Sequence, residues 1–204
     1  MTSITKYKYY YFKKVLSPDF CDKVIEHCKT LQSEFAQTGK IVPNQTKGQK
    51  NRTKKIRNST ISWVRDVWIT KEIDYYIHEA NKKADWNFDI RDSESIQFTE
   101  YKVGQHYDWH TDSFNGPHYT GEYTGTMRKL SATVSLTDPN DYDGGYLEFD
   151  FKEGKNSQNN YKCMEILPRG SIVVFPSYTW HRVSPLTRGT RHSLVRWSSG
   201  PPFK

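Results

Sequence analysis

Apolar residues recur at helical spacing early in the chain, at Phe20, Val24, Cys28, Leu31 and Phe35. Just ahead of them Ser17-Pro18-Asp19 supplies a helix start: a serine cap, a proline suited to the first turn, and an acid near the positive end of the dipole. The spacing predicts a helix running to about Ala36. "STISWV" reads as extended, and Thr70 caps a second predicted helix whose Ile73, Tyr76, Ile77 and Ala80 share a face. From Trp86 the period shortens. The runs "WNFDI", "SIQFTEY", "LSATVSL", "GYLEFDF", "KCMEIL", "SIVVF" and "RHSLVRW" are β-rich and separated by Gly, Pro, Asn and Asp clusters. Two helices ahead of roughly eight strands predict an α+β fold, with the helices packed outside a β-sandwich or barrel. No internal repeat or linker interrupts the 204 residues, so one domain is expected over 1–204, its helical part over 1–94 and its β core over 95–200.

Charge changes this picture in one place. The net charge of +7 originates between Gly39 and Thr60, where Lys40, Lys47, Lys50, Arg52, Lys54, Lys55 and Arg57 stand without an acidic residue. Without those seven, 23 basic residues balance 23 acidic ones. This basic loop, 39–60, reads as a solvated segment, as a contact to an acidic partner or RNA, or as a lid ordering over a peptide. No apolar run approaches a membrane span, and "MTSITKYKYYYFKK" lacks the apolar stretch of a secretory signal. A soluble, cytoplasmic protein with no membrane partner is expected. Cys21, Cys28 and Cys163 form no even set, which fits reduced, buried thiols.

The candidate chemistry lies in "HYDWHTD", residues 106–112, where His106/Asp108 and His110/Asp112 form two H-x-D pairs. On a strand all four point the same way, but at about 3.3 Å per residue the ends lie about 20 Å apart, so all four cannot meet one ion. A pair two residues apart can, if the chain turns at the second, and "SFNGP" after Asp112 is turn-rich. His181, beyond "SIVVF", is the candidate third ligand. Two His and one carboxylate leave positions open on a non-haem iron, an arrangement suited to oxygen activation. A dicarboxylate such as 2-oxoglutarate would need a fixed cation for its far end, and Arg191 is well matched to that task.

"YKVGQHYDWHTD" fits the Y-x-x-G-Q-x-Y-x-x-H-x-D signature of prolyl 4-hydroxylases, and "PRGSIVVFPSYTWHRVSPLTRGTRHSLVRW" looks like that family's closing strands. Arginine in place of lysine, together with "DPNDYDGGYLEF", is similar to the PKHD-type hydroxylases of bacteria and their viruses, which is compatible with a virus-encoded protein acting in a bacterial host. The resemblance covers roughly 95–200. It implies a double-stranded β-helix (jelly-roll) core with N-terminal helices packed against it. It further implies Fe(II), 2-oxoglutarate and O2, with ascorbate as reductant. Residue by residue, it implies His110, Asp112 and His181 as iron ligands, and Tyr101 and Arg191 as the clamp on the co-substrate's distal carboxylate. Tyr107 and Trp197 would line the cavity by the metal, and Arg128 would contact a peptide. His106 and Asp108 occupy variable positions of the signature, Trp109 points to the opposite face and packs, and Gly144-Gly145 makes the turn into "YLEF". Ser199 stands where some peptide hydroxylases carry a histidine.

The expected reaction is therefore hydroxylation of a C–H bond, with a prolyl residue of a polypeptide as substrate and succinate and CO2 as products. The same chemistry on a free amino acid or other small molecule is the alternative. A nucleic-acid demethylase lacks its two-arginine spacing here, and a non-catalytic metal-binding module would have no need of Tyr101 and Arg191.

Overall fold

The computed structural model describes residues 7–36, 56–113, 116–118, 121–151 and 160–203, so the expectation for the basic segment over 39–55 lies outside the described residues. The first half of the chain contributes β1 (Tyr10–Phe12), α1 (Pro18–Thr30), β2 (Glu34–Phe35), β3 (Arg57–Asn58), β4 (Thr60–Val64), α2 (Val67–Lys83), β5 (Asp92–Ser93) and β6 (Ile96–Lys102). There follow β7 (His106–His110), β8 (Met127–Ser135), β9 (Asp143–Gly144), β10 (Leu147–Asp150) and β11 (Asn160–Lys162). A 3-10 turn (Met164–Ile166), β12 (Ile172–Pro176), β13 (Trp180–Val183), β14 (Leu186–Arg188) and β15 (Thr190–Gly200) complete it.

The larger sheet runs β1-β12-β8-β15-β6-β4-β2, with β5 also on β15; the smaller runs β11-β10-β13-β7-β3. Their pairings are antiparallel. The two form the jelly-roll core. Side-chain alternation gives the larger sheet two unlike faces. Ile96 and Phe98 on β6, Leu130, Ala132 and Val134 on β8, Ile172 and Val174 on β12, and Leu194 on β15 all pack on the helices. There they meet Val24 and Cys28 of α1 and Ile69, Ile73, Ile77 and Ala80 of α2. The alternate residues Gln97, Thr99, Ser131, Thr133 and Ser193 are buried on the other face, toward the smaller sheet. Between the sheets, Leu147, Phe149, Val173 and Phe175 with Cys163 and Ile166 form a separate apolar cluster. The rest of that space is left for polar chemistry.

Several expectations need correction. Ser17 caps α1 through its Oγ, which accepts from Phe20 N at 3.1 Å, but the helix stops at Thr30 rather than Ala36. Its apolar face is already satisfied by Cys21, Val24 and Cys28, and Phe35 instead pairs with Thr60 at a sheet edge. Helix α2 starts at Val67, not Thr70, because the Asp66 carbonyl accepts from Ile69 N and Thr70 N. "WNFDI" is no strand: Asp85 and Asn87 hold left-handed backbone angles, and the Asn81 side chain bonds both the N–H and the carbonyl of Phe88. "KCMEIL" folds mostly into the 3-10 turn. The basic loop ends before residue 57, because Arg57 and Asn58 form β3 against β7 and Thr60 opens β4. Among the described residues, no helix is long and apolar enough to cross a membrane.

Gly170 fastens the lead-in of α1 to the sheet. Its carbonyl accepts from Val15 N and Leu16 N at 3.1 Å, and its N–H donates to Ser135 O at 2.8 Å. With φ at +76°, an added Cβ would lie 2.0 Å from Leu16 O. Gly170→Ala should therefore cost more than about 1 kcal/mol, combining left-handed strain with the clash. Urea unfolding checks this, through a lowered midpoint at unchanged slope.

Candidate active site

His110 ends β7, Asp112 follows it past the strand, and His181 lies opposite His110 on the neighbouring β13. Their ligand atoms all fall within 4.8 Å of one another. His110 Nε2 is 3.6 Å from Asp112 Oδ1, and His181 Nε2 is 3.5 Å from Asp112 Oδ2. Donors bound at about 2.1 Å to one octahedral ion sit about 3 Å apart, so small adjustments would close the three atoms on a metal. The backbone sets which nitrogens face inward. His110 Nδ1 bonds Asp108 O at 2.8 Å and His181 Nδ1 bonds Thr179 O at 3.0 Å, leaving each Nε2 lone pair for the centre.

Asp112 is fixed from behind. Its Oδ2 accepts from Ser131 Oγ at 2.7 Å, Ser131 Oγ lies 2.9 Å from Ser177 Oγ, and the Asp112 N–H donates to Ser177 O. Burial pushes the His110 imidazole down, and His181 adds to this against the pull of Asp112, to about 3. Burial opposes the Asp112 carboxylate, yet His181, His110, Arg128 and the Ser131 hydroxyl hold it down, to about 2. At neutral pH His110 thus offers a free lone pair and Asp112 a carboxylate, as a divalent ion requires.

A bulge corrects the expectation that His106, Asp108 and His110 share one strand face. His181 pairs with His110 but Val183 pairs with Tyr107, two steps on β13 against three on β7. Tyr107 and His110 consequently both line the cleft, their rings stacked with centroids 3.5 Å apart. Asp108 is left exposed. Trp109 packs outward beneath the Arg182 guanidinium at 4.8 Å, as anticipated.

On the opposite wall Tyr101 of β6 and Arg191 of β15 are direct cross-strand partners. The Arg191 Cζ lies 5.7 Å from the Tyr101 ring centroid. Arg191 is buried, and its one side-chain hydrogen bond among the described residues goes to Ser193 Oγ at 3.3 Å. No carboxylate pairs with it among the described residues. A buried guanidinium without a counter-charge is costly by several kcal/mol, so the site calls for an anion. Burial pushes the Tyr101 phenol up, against Arg57 and Arg191, so it stays a hydrogen-bond donor at neutral pH. Gly144 and Gly145 make the expected turn with positive φ, and Gly145 also clears space: a Cβ there would lie 3.0 Å from Arg191 Cδ. The donor set and this unpaired cation fit a divalent metal and a dicarboxylate, respectively.

Residues 96–199, about half of the chain, match the model of the 2OG-Fe(II) oxygenase superfamily. The chain belongs to that superfamily. A PKHD-type hydroxylase of Synechococcus sp. (strain JA-2-3B'a(2-13)) is 36% identical over 103 residues, 50% of this chain and 42% of that relative. The matched segment is thus less than half the relative's length. Among solved structures, the 2OG complex of the viral collagen prolyl hydroxylase from Paramecium Bursaria Chlorella virus-1 is 20% identical with a TM-score of 0.64, covering 95% of this chain and 97% of that one. A Trichoplax adhaerens prolyl hydroxylase in complex with a hypoxia inducible factor peptide fragment is 18% identical with a TM-score of 0.58, covering 94% and 83%. At these identities the two solved structures speak for the fold.

As a 2OG-Fe(II) oxygenase superfamily member the chain shows further residues around the cleft. A second bulge turns Arg128 inward: Ser198 pairs with Leu130 but Ser199 pairs with Arg128, so Lys129 is passed over. Arg128 then lies 4.1 Å over the Trp197 ring, held at both Nε and Nη2 by Glu94 at 2.5 Å. Trp197 Nε1 and Ser199 Oγ are buried without a hydrogen-bond partner among the described residues. Sequence reasoning missed Glu94, Ser131 and Arg57 as site residues. Ser131 had a signal, since Ser131, Thr133 and Ser135 alternate with apolar residues and so share a polar face. Arg57 was hidden among the lysines of the basic run. Glu94 carried no signal of its own.

Ser131→Ala removes the hydrogen bond that orients Asp112 without touching the ligands. The expected result is a roughly 10- to 100-fold loss of Mn(II) or Fe(II) affinity with the fold retained, read by metal titration beside a thermal melt.

Proposed function

We propose that the chain is an Fe(II)- and 2-oxoglutarate-dependent dioxygenase that hydroxylates a prolyl residue of a polypeptide, releasing succinate and CO2. The observation that carries this reading is one cleft with two complementary walls: His110, Asp112 and His181 converge on one side, and Arg191, buried without a carboxylate partner among the described residues, stands on the other. Iron bound with 2-oxoglutarate and O2 supplies the oxidising power for an unactivated C–H bond, the co-substrate being decarboxylated to succinate.

The chain's own part is binding, orientation and exclusion of water. His110, Asp112 and His181 hold the metal. Arg191 and the Tyr101 hydroxyl hold the far carboxylate of 2-oxoglutarate, and the fork of the guanidinium suits a bidentate contact. Tyr107 and Trp197 wall the space beside the metal, where a flat apolar ring such as proline would pack on aromatic faces. Burial pushes the Tyr107 phenol up to about 12, against the pull of Arg57, so it remains a neutral donor there. Arg128, made rigid by Glu94, faces the peptide from the edge of the cleft. The peptide preference is supported by the prolyl-hydroxylase character of the solved neighbours.

The test is succinate release from 2-oxoglutarate with Fe(II) and ascorbate, with and without proline-containing peptides, His181→Ala serving as control. Peptide-stimulated succinate with one oxygen added to a proline, read by mass spectrometry, is the expected result. Succinate without peptide oxidation moves the substrate to a free amino acid or another small molecule. No succinate above the control overturns the enzyme reading. Arg191→Ala should keep its metal and lose about ten-fold or more in 2-oxoglutarate affinity, since it removes a charge-assisted contact. Unchanged affinity in a titration would refute the clamp.

A further inference from the structure

Arg191 is not the only cation turned into the cleft. Arg57 on β3 is 6% exposed and lines the same space. Its Cζ lies 4.5 Å from the centroid of the Tyr107 ring, which stacks in turn on His110. Nε donates to Ser59 Oγ at 3.2 Å. That is its one side-chain hydrogen bond among the described residues, and no carboxylate pairs with it there. Nor can the adjoining chain supply one, because residues 37–55 contain no Asp or Glu. Asp112, the acid that lines the same cleft, is committed to His110, His181 and Ser131. A solvated surface arginine would explain nothing at this burial.

The charges around the cleft leave a remainder. Arg57 and Arg191 stand against Asp112, while a divalent metal and a dianionic co-substrate cancel each other. Among the described residues one positive charge is left, on the Tyr107 side and next to His110. Trp197 Nε1, buried and without a partner among the described residues, adds another donor to the cleft wall. The missing group is an acceptor carrying negative charge, and the primary substrate is what remains to bring it. We propose that Arg57 recognises a carboxylate on the primary substrate, so that this chain prefers proline compounds with an acid beside the ring to neutral ones. The inference rests on the dioxygenase reading above and narrows its substrate.

The experiment uses the full chain loaded with Mn(II) and saturated with 2-oxoglutarate without O2, so that binding is read by calorimetry and not by turnover. Two matched probe pairs differ only in charge: acetyl-Gly-Pro with a free carboxylate against its amide, and acetyl-Gly-Pro-Asp-Gly amide against the Asn form. At least one acidic member should bind about ten-fold or more tightly than its neutral twin. Arg57→Gln should erase that difference while 2-oxoglutarate affinity stays within two-fold. Arg57→Lys, which keeps the charge but loses the fork, should restore part of it. Thermal midpoints near wild type establish that both variants fold. Equal binding within both pairs, no binding of any probe, or loss of 2-oxoglutarate affinity with discrimination intact in Arg57→Gln would each overturn the proposal. Failure of the parent reading shows separately, as a metal-loaded wild type that takes up no 2-oxoglutarate.

Discussion

The two-residue alternation of the larger sheet is the constraint on which the rest depends. Along β6, β8 and β15 one set of side chains forms the layer under α1 and α2, and the other set faces the smaller sheet. Burying the first set is the main driving force for this half of the fold. It also decides the second set without any further contribution from the site. With Leu194 under the helices, Ser193, Arg191, Val195 and Trp197 are committed to the cleft. A slip of one residue would exchange the two sets, turning Arg191 toward the helices and Leu194 toward the cleft. The site is positioned by a hydrophobic layer that touches none of its chemistry.

Two bulges then adjust what alternation alone would misplace. Strict pairing would send Tyr107 and His110, three residues apart, to opposite faces, and would leave Arg128 on the helix side with Leu130. The irregularity between His181 and Val183 brings Tyr107 into the cleft, and the one between Ser198 and Ser199 brings Arg128 to its edge over Trp197. An extra residue in a ladder leaves groups unpaired and strengthens local twist, so it weakens the sheet where it occurs. Here both bulges lie next to the group His110, Asp112 and His181, where Tyr107 stacks on His110 and Arg128 reaches the Asp112 carbonyl. Stability has been yielded locally at the place where function needs direction.

Electrostatics sets the cleft apart from the rest of the fold. Arg196, on the helix side of the same strand, is fully answered by Asp74 at 2.9 and 2.7 Å. Arg128 is answered by Glu94, and Arg182 by Glu148 at 2.7 Å. Arg57 and Arg191 are the buried guanidiniums left without such a partner among the described residues, and both open onto the ligand group. Among the described residues, then, Arg196, Arg128 and Arg182 have carboxylate partners, while the two unpaired buried arginines both line the cleft.

Much of this was legible in the sequence. The helical start at Ser17 and the strands "SIQFTEY", "LSATVSL", "SIVVF" and "RHSLVRW" follow from local pattern, because period and spacing are properties of short segments. His110, Asp112, His181 and Arg191 were candidates from residue type and spacing, and Tyr101 from the family resemblance. Helix ends were less legible: the stop at Thr30 depends on Phe35 finding β4, a contact distant in sequence. "WNFDI" misled because its apolar residues suited a strand, while its backbone angles answer to Asn81. What only the tertiary structure decided is which residues stand alone. Arg57 looked like one of seven basic residues in a charged run, and it is a cleft residue because β3 pairs with β7. Whether a charge is answered depends on partners that come from anywhere along the chain, so pairing, unlike periodicity, is written only in three dimensions.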